Sequence, residues 1–250
     1  MEDRMPALPE MGPGSTNVRG PEGAPASGSP AGDPLADPRA LQILSTEHWS
    51  LLAARSLAYN EAFSRAGMFL SFLSASLIVM GFLLSSTTYG QAVVPVVALL
   101  LLADAYVGAA TVGRLISASG EELDTVRGMN RIRHAYREMV PGLEPYFITA
   151  FHDDATGVLA SYGGIERSPL GRVIHSFTTA IGLVATIESF VMGAFVTVVG
   201  LGFGAPYLVA IVLGILVAVV GFVFFATVGI RTALGRQRAA KAMFPTPPME

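Results

Sequence analysis

The chain reads as an all-α polytopic membrane protein: four transmembrane helices with cytoplasmic amphipathic helices. Three observations predict this. Hydrophobic residues make up 52% of the 250 and charged residues 14%, against roughly 25% charged in an ordinary soluble domain. The deficit is concentrated. Residues 66–113 and 173–230, together 106 positions, hold two charges, Asp104 and Glu188, while the other 144 hold 33 of the 35. Finally, the apolar runs are continuous, which suits helices and not the alternating strands of a barrel.

Composition removes several functions. With no cysteine there is no disulfide framework, Cys-based zinc site or thiol nucleophile. A net charge of −3 argues against nucleic-acid binding by phosphate neutralisation. Fifteen of the sixteen basic residues are Arg, the other being Lys241, a bias that points to a high-GC bacterial genome. The first forty residues contain no apolar h-region, so a cleaved signal peptide is not expected.

Residues 1–40 hold half of the sixteen prolines and six glycines and have little to bury, so they are expected to form a disordered cytoplasmic tail. Residues 41–65 form the next unit, a juxtamembrane amphipathic helix. Ser45 or Thr46 is expected to cap a start at Glu47, Glu61 and Arg65 are spaced i,i+4, and Trp49 is placed as an interfacial anchor. The helix is expected to run directly into the first span.

Transmembrane hairpin 1 occupies 66–113, with spans at Ala66–Ser86 and Gln91–Gly113; hairpin 2 occupies 176–228, with spans at Ser176–Val198 and Pro206–Val228. Each span has the ~20 residues that cross a hydrocarbon core. Pro95 and Pro206 fall in first turns, where a missing N–H costs little. Between the hairpins, 114–175 is a cytoplasmic helical segment. Leu123, Val126, Met129, Ile132, Tyr136 and Met139 recur at helical spacing over Glu121–Met139. Gly120 marks a candidate break, Pro141 and Gly142 a stop, Pro145 a short helix through Phe151, and Gly157–Pro169 a loop. Residues 229–250 read as a basic cytoplasmic tail. All sixteen Lys and Arg lie outside the two short connectors 87–90 and 199–205, which places both termini and the centre in the cytoplasm of a bacterial inner membrane. The halves share a plan, but their carboxylates sit in non-equivalent spans, so a repeat is weakly supported.

Asp104 and Glu188 are the sharpest feature. They lie ~3 Å and ~2 Å from their helix midpoints at ~1.5 Å per residue, and no Lys or Arg lies in any span. Two midplane acids without a cation share protons, bind a cation, or sit neutral and hydrogen-bonded. The functional reading is a proton or cation relay. The structural alternative is a protonated interhelical clasp with Ser74, Thr178 or Thr186 as partner. Spans two and three packing as neighbours would bring the acids together.

Other patterns carry less. Gly67, Ser71 and Ala75, like Ala105, Ala109 and Gly113, suit close helix packing, and Gly200, Gly202 and Gly204 suit the outer hairpin. Arg127, Arg131, Arg133 and Arg137 form a basic stretch that would face anionic lipid or an acidic partner, though Glu121, Glu122, Asp124 and Glu138 dilute it and favour a solvated charged face. His152, Asp153 and Asp154 are a weak metal or acid–base candidate. No catalytic or nucleotide-binding motif is present, so no enzyme activity, catalytic residue, metal or cofactor is expected.

At ILSTEHWSLLAARSLAYNEAFSRAGMF and MNRIRHAYREMVPGLEPYF the chain resembles an uncharacterised group of high-GC bacterial four-span integral membrane proteins. The resemblance covers about residues 41–240 and implies an all-helical membrane protein without an assigned activity. The expected function is a small proton- or cation-handling channel or transporter subunit; the alternative is a non-catalytic membrane scaffold or sensor acting through its cytoplasmic helices. Expected partners are the lipid bilayer and either further copies of the chain or another membrane protein, with no nucleic acid.

Overall fold

The computed structural model describes residues 33–85, 92–163 and 179–247. Most of the expected tail, Thr178 and the first inter-span connector lie outside these residues. Those described are helical, with no strand: α1 (Ala40–Ser85), α2 (Val93–Met139), α3 (Ala155–Ala160), α4 (Ala180–Gly202) and α5 (Tyr207–Ala239). α1, α2, α4 and α5 are each long and apolar enough to cross a membrane. The protein is a four-span all-α chain whose exposed side chains, among them Phe82, Leu99, Tyr106, Phe190 and Leu208, suit lipid and not water.

α1 starts at Ala40, seven residues before the expected start at Glu47. A 3-10 turn at Pro34–Ala36 precedes it, and the Asp37 carboxylate accepts the Arg39 N–H at 2.8 Å. Ser45 and Thr46 lie inside the helix, their hydroxyls donating back to Gln42 O at 3.1 and 2.8 Å, the local bond that lets such residues sit mid-helix. α1 and the span are one helix of 46 residues, about 69 Å at ~1.5 Å per residue. Trp49 sits ~25 Å along the helix from Ala66 and is 70% exposed, on a helix that runs directly into the span as expected.

α2 likewise runs 47 residues without a break. Gly120 interrupts nothing; its missing side chain admits Arg236, whose Cδ would stand 2.8 Å from a Cβ there. The paired extensions of α1 and α2 are joined by Arg55–Glu122 at 2.8 Å and by Arg114, which bridges Glu61 and Glu121 at 3.1 Å each. Beyond Val140 the chain departs from expectation twice. Pro145 lies in a single 3-10 turn, Glu144–Tyr146, not in a helix reaching Phe151. Gly157 belongs to α3, whose N-cap is Asp154 accepting the Gly157 N–H at 3.0 Å.

α4 is capped by Thr179. α5 continues past Val228 to Ala239, with Arg236 and Arg238 in its last turn, where cations oppose the helix dipole favourably. α1 packs on α2, α2 on α4, and α4 on α5, while α2 meets α5 along a shorter seam. The inner helices α2 and α4 thus join the two hairpins, around Phe69, Leu101, Val112, Val184 and Ala185. The expected small-residue stripes are not where backbones approach most closely. A Cβ at Gly67 or Gly113 would meet nothing within 4 Å, whereas one at Gly193 would lie 2.6 Å from Gly214 O. That contact closes the α4–α5 hairpin.

Candidate functional site

Asp104 projects from α2 and Glu188 from α4, and both are 0% exposed. Their positions in the chain are not equivalent, yet α2 and α4 are the adjoining helices, so the two acids meet. Glu188 is the one that reaches across to the facing helix. Its carboxyl rests on α2 at Gly108, one helical turn beyond Asp104: a Cβ there would overlap Oε2 and stand 2.6 Å from Cδ and 2.8 Å from Phe69 Cε2. Glycine at 108 is what lets a carboxyl reach the α2 backbone.

Among the described residues, none of the four carboxylate oxygens makes a well-aligned hydrogen bond. Ser76 of α1, itself buried, neighbours Asp104 without a well-aligned hydrogen bond. The expected clasp partners are engaged elsewhere: Ser74 donates to Leu70 O and Thr186 to Gly182 O, each at 2.7 Å within its own helix. A hydroxyl on a helix satisfies itself locally before it reaches across an interface. No Lys or Arg lies in any span to neutralise the pair, and an unpaired buried charge is costly. Beside the pair, between α2, α4 and α5, runs an apolar groove of about 480 Å³ lined by Ala105, Ala109, Glu188, Met192, Gly221 and Phe225 among others.

The basic stretch on α2 is turned largely inward. Arg127, 7% exposed, donates to Asp124 at 2.8 Å and to Asp153 O at 3.2 Å. Arg131 donates to Asp153 at 2.7 Å. Arg133 donates to Asn130 Oδ1 at 2.8 Å, and burial, then the Arg55 charge, draws its guanidinium below the ordinary value. Arg137 lies 3.6 Å from Glu144 and 4.7 Å above the Phe151 ring. These arginines organise the end of the protein that projects from the membrane.

Asp153 and Asp154 bind the C-terminal segment. The Asp153 carboxylate accepts the N–H groups of Met243 and Phe244 at 2.9 and 2.7 Å, and Asp154 accepts the Thr246 hydroxyl at 2.7 Å. Burial alone pushes the Asp153 carboxyl up, but Met243, Arg131 and Phe244 outweigh it and hold the group below the usual carboxylate range. The Phe244 ring stacks on His134 with centroids 4.0 Å apart. No group of three or more metal-ligating side chains occurs among the described residues.

Sequence reasoning missed Asn130. It is 0% exposed and fully used, donating to His152 O and Gly157 O at 2.8 and 3.3 Å and accepting from Arg133 and the Ser161 hydroxyl at 2.8 and 3.1 Å. An amide beside Val126 and Met129 on an otherwise apolar stripe was its one visible signal. No protein-family model, curated protein or solved structure matches the chain.

Proposed function

We propose that this chain is a multi-pass bacterial inner-membrane protein that exchanges protons through the Asp104–Glu188 pair, as a small transporter or channel subunit. The observation that carries the reading is the convergence of two fully buried acids from adjoining spans that contain no Lys or Arg, with the Ser76 hydroxyl beside Asp104. Such a pair is stable when protonated and unstable when both members are charged, so its occupancy follows the proton supply on whichever side reaches it. A proton needs no cage, whereas a metal cation needs several oxygens at fixed distances; two carboxyls and one serine make a sparse donor set. The arginine-rich ends are assigned to the cytoplasm by the positive-inside bias, and the protein is read as non-enzymatic.

The test is proton flux into liposomes holding purified protein and a trapped pH indicator. Wild type should dissipate an imposed gradient, and Asp104→Asn and Glu188→Gln should each abolish that dissipation while remaining folded. Absence of flux in wild type at every pH and voltage tried would sink the reading. The scaffold or sensor would then lead, supported by the projecting helices and their bound C-terminal segment.

A further inference from the structure

We propose that the C-terminal segment 240–246 is a strap that clamps the two transmembrane hairpins together and thereby controls exchange at the acid pair. The second half of this statement rests on the proton-exchange reading above; the first half does not.

Each hairpin is fastened within itself. α1 and α2 are joined by Arg55–Glu122 and Arg114–Glu61 beyond the membrane and by the Phe69 and Val112 core within it. α4 and α5 are joined where Gly193 meets Gly214 and where the Thr197 hydroxyl reaches Ala210 O at 3.4 Å. The joint between the hairpins is different in kind. Across it, α2 and α4 touch through apolar side chains and the acid pair, and α2 meets α5 along a short seam. Asp104 belongs to one side of this joint and Glu188 to the other.

At the projecting end the joint is closed by polar bolts. Arg236 of α5 donates to Asp124 of α2 at 2.9 Å. The chain then leaves α5, and Arg131 of α2 donates to Lys241 O at 2.9 Å. Asp153 completes the crossing: its buried carboxylate takes Arg131 from α2 together with the Met243 and Phe244 N–H groups, while its own N–H donates to Phe244 O at 3.2 Å. One carboxylate therefore ties the end of the second hairpin to the first. The strap itself buries little, with Lys241, Met243 and Pro245 all exposed. Hydrogen bonds at a half-wet surface are individually modest, and such segments open before a packed core does. Release would leave each hairpin intact and free the joint between them, the rigid-body rocking that changes the spacing of groups on opposite sides.

The test uses full-length protein in liposomes. Phe244→Ala removes the ring seated on His134, and Asp153→Asn weakens the central acceptor; Phe244 lies outside the helix core, so its variant keeps the fold if Asp153→Asn does not. The chain has no cysteine, so spin labels at Thr125→Cys on α2 and Leu234→Cys on α5 report the joint directly. In Phe244→Ala the label distances should lengthen and broaden, and proton flux should rise severalfold, with no rise when Glu188→Gln is added. Unchanged distances overturn the strap whatever the flux does. Longer distances with wild-type flux overturn its control of the acid pair. Longer distances in a protein whose wild type carries no flux retain the strap and overturn the proton reading instead.

Discussion

The carboxyl of Glu188 lies directly on the α2 backbone at Gly108, four residues after Asp104, so close that no side chain fits between them. A carboxyl carried by one hairpin is thus seated in a notch of the other, and the notch exists because residue 108 has no Cβ.

Gly108→Ala should therefore displace Glu188 and part α2 from α4. Forcing one methyl into a packed site costs about 1–3 kcal/mol, measurable as a lower detergent or thermal midpoint. The same substitution at Gly113, where a Cβ meets nothing within 4 Å, should be neutral or slightly stabilising through its helix propensity. Equal losses at both sites would mean that the notch has no special role.

The acids themselves should be dispensable for folding. Among the described residues their oxygens make no well-aligned hydrogen bond, and exchanging an unpartnered buried polar group for an apolar one of similar size is close to neutral. Asp104→Leu and Glu188→Leu should shift stability by about 1 kcal/mol or less, while abolishing flux as completely as Asp104→Asn and Glu188→Gln. A loss of ~3 kcal/mol or more in the leucine variants, the size expected on breaking a buried pair, would restore the interhelical clasp.

Strap stability should depend on pH in two windows of the same sign. Burial, then the Arg137 charge, holds His134 below its ordinary value; the Met243, Arg131 and Phe244 bonds, against the opposing push of burial, hold Asp153 below its own. In both cases the unfolded or released chain binds more protons than the closed one, so stability rises with pH across the interval between the two values. The His134 contribution is complete above about pH 6.5 and lost as pH falls through its folded value; that of Asp153 is complete above about pH 3.9 and lost in the same way. Protease accessibility of residues 240–247 measured against pH should show both steps. His134→Phe should remove the upper step alone, and a step that survives that change would assign it elsewhere.

Orientation is tested by labelling. Tyr146, 78% exposed on the arginine-rich side, and Thr88, in the connector outside the described residues, each provide a unique thiol when replaced by cysteine. An impermeant reagent applied to intact cells should modify position 88 and spare 146. The opposite pattern would place the arginine-rich end outside.

Sequence alone determined the four spans and the two acids that had to be explained. These follow from the solvent: a bilayer demands ~20 apolar residues per crossing, and each exception stands out against them. It also showed that α1 would run into its span. The helix start at Ala40, the uninterrupted passage through Gly120 and the capping by Asp154 were not legible, because they depend on which of several polar groups reaches a backbone donor first or on what packs beside a glycine. The meeting of Asp104 with Glu188, the inward turn of Arg127 and Arg131, the use of Asn130 and the capture of Met243 and Phe244 by Asp153 were decided by tertiary structure alone. Each joins residues from 22 to 91 positions apart or lying on different helices. A linear pattern records what each side chain prefers, but only packing decides which partner it meets.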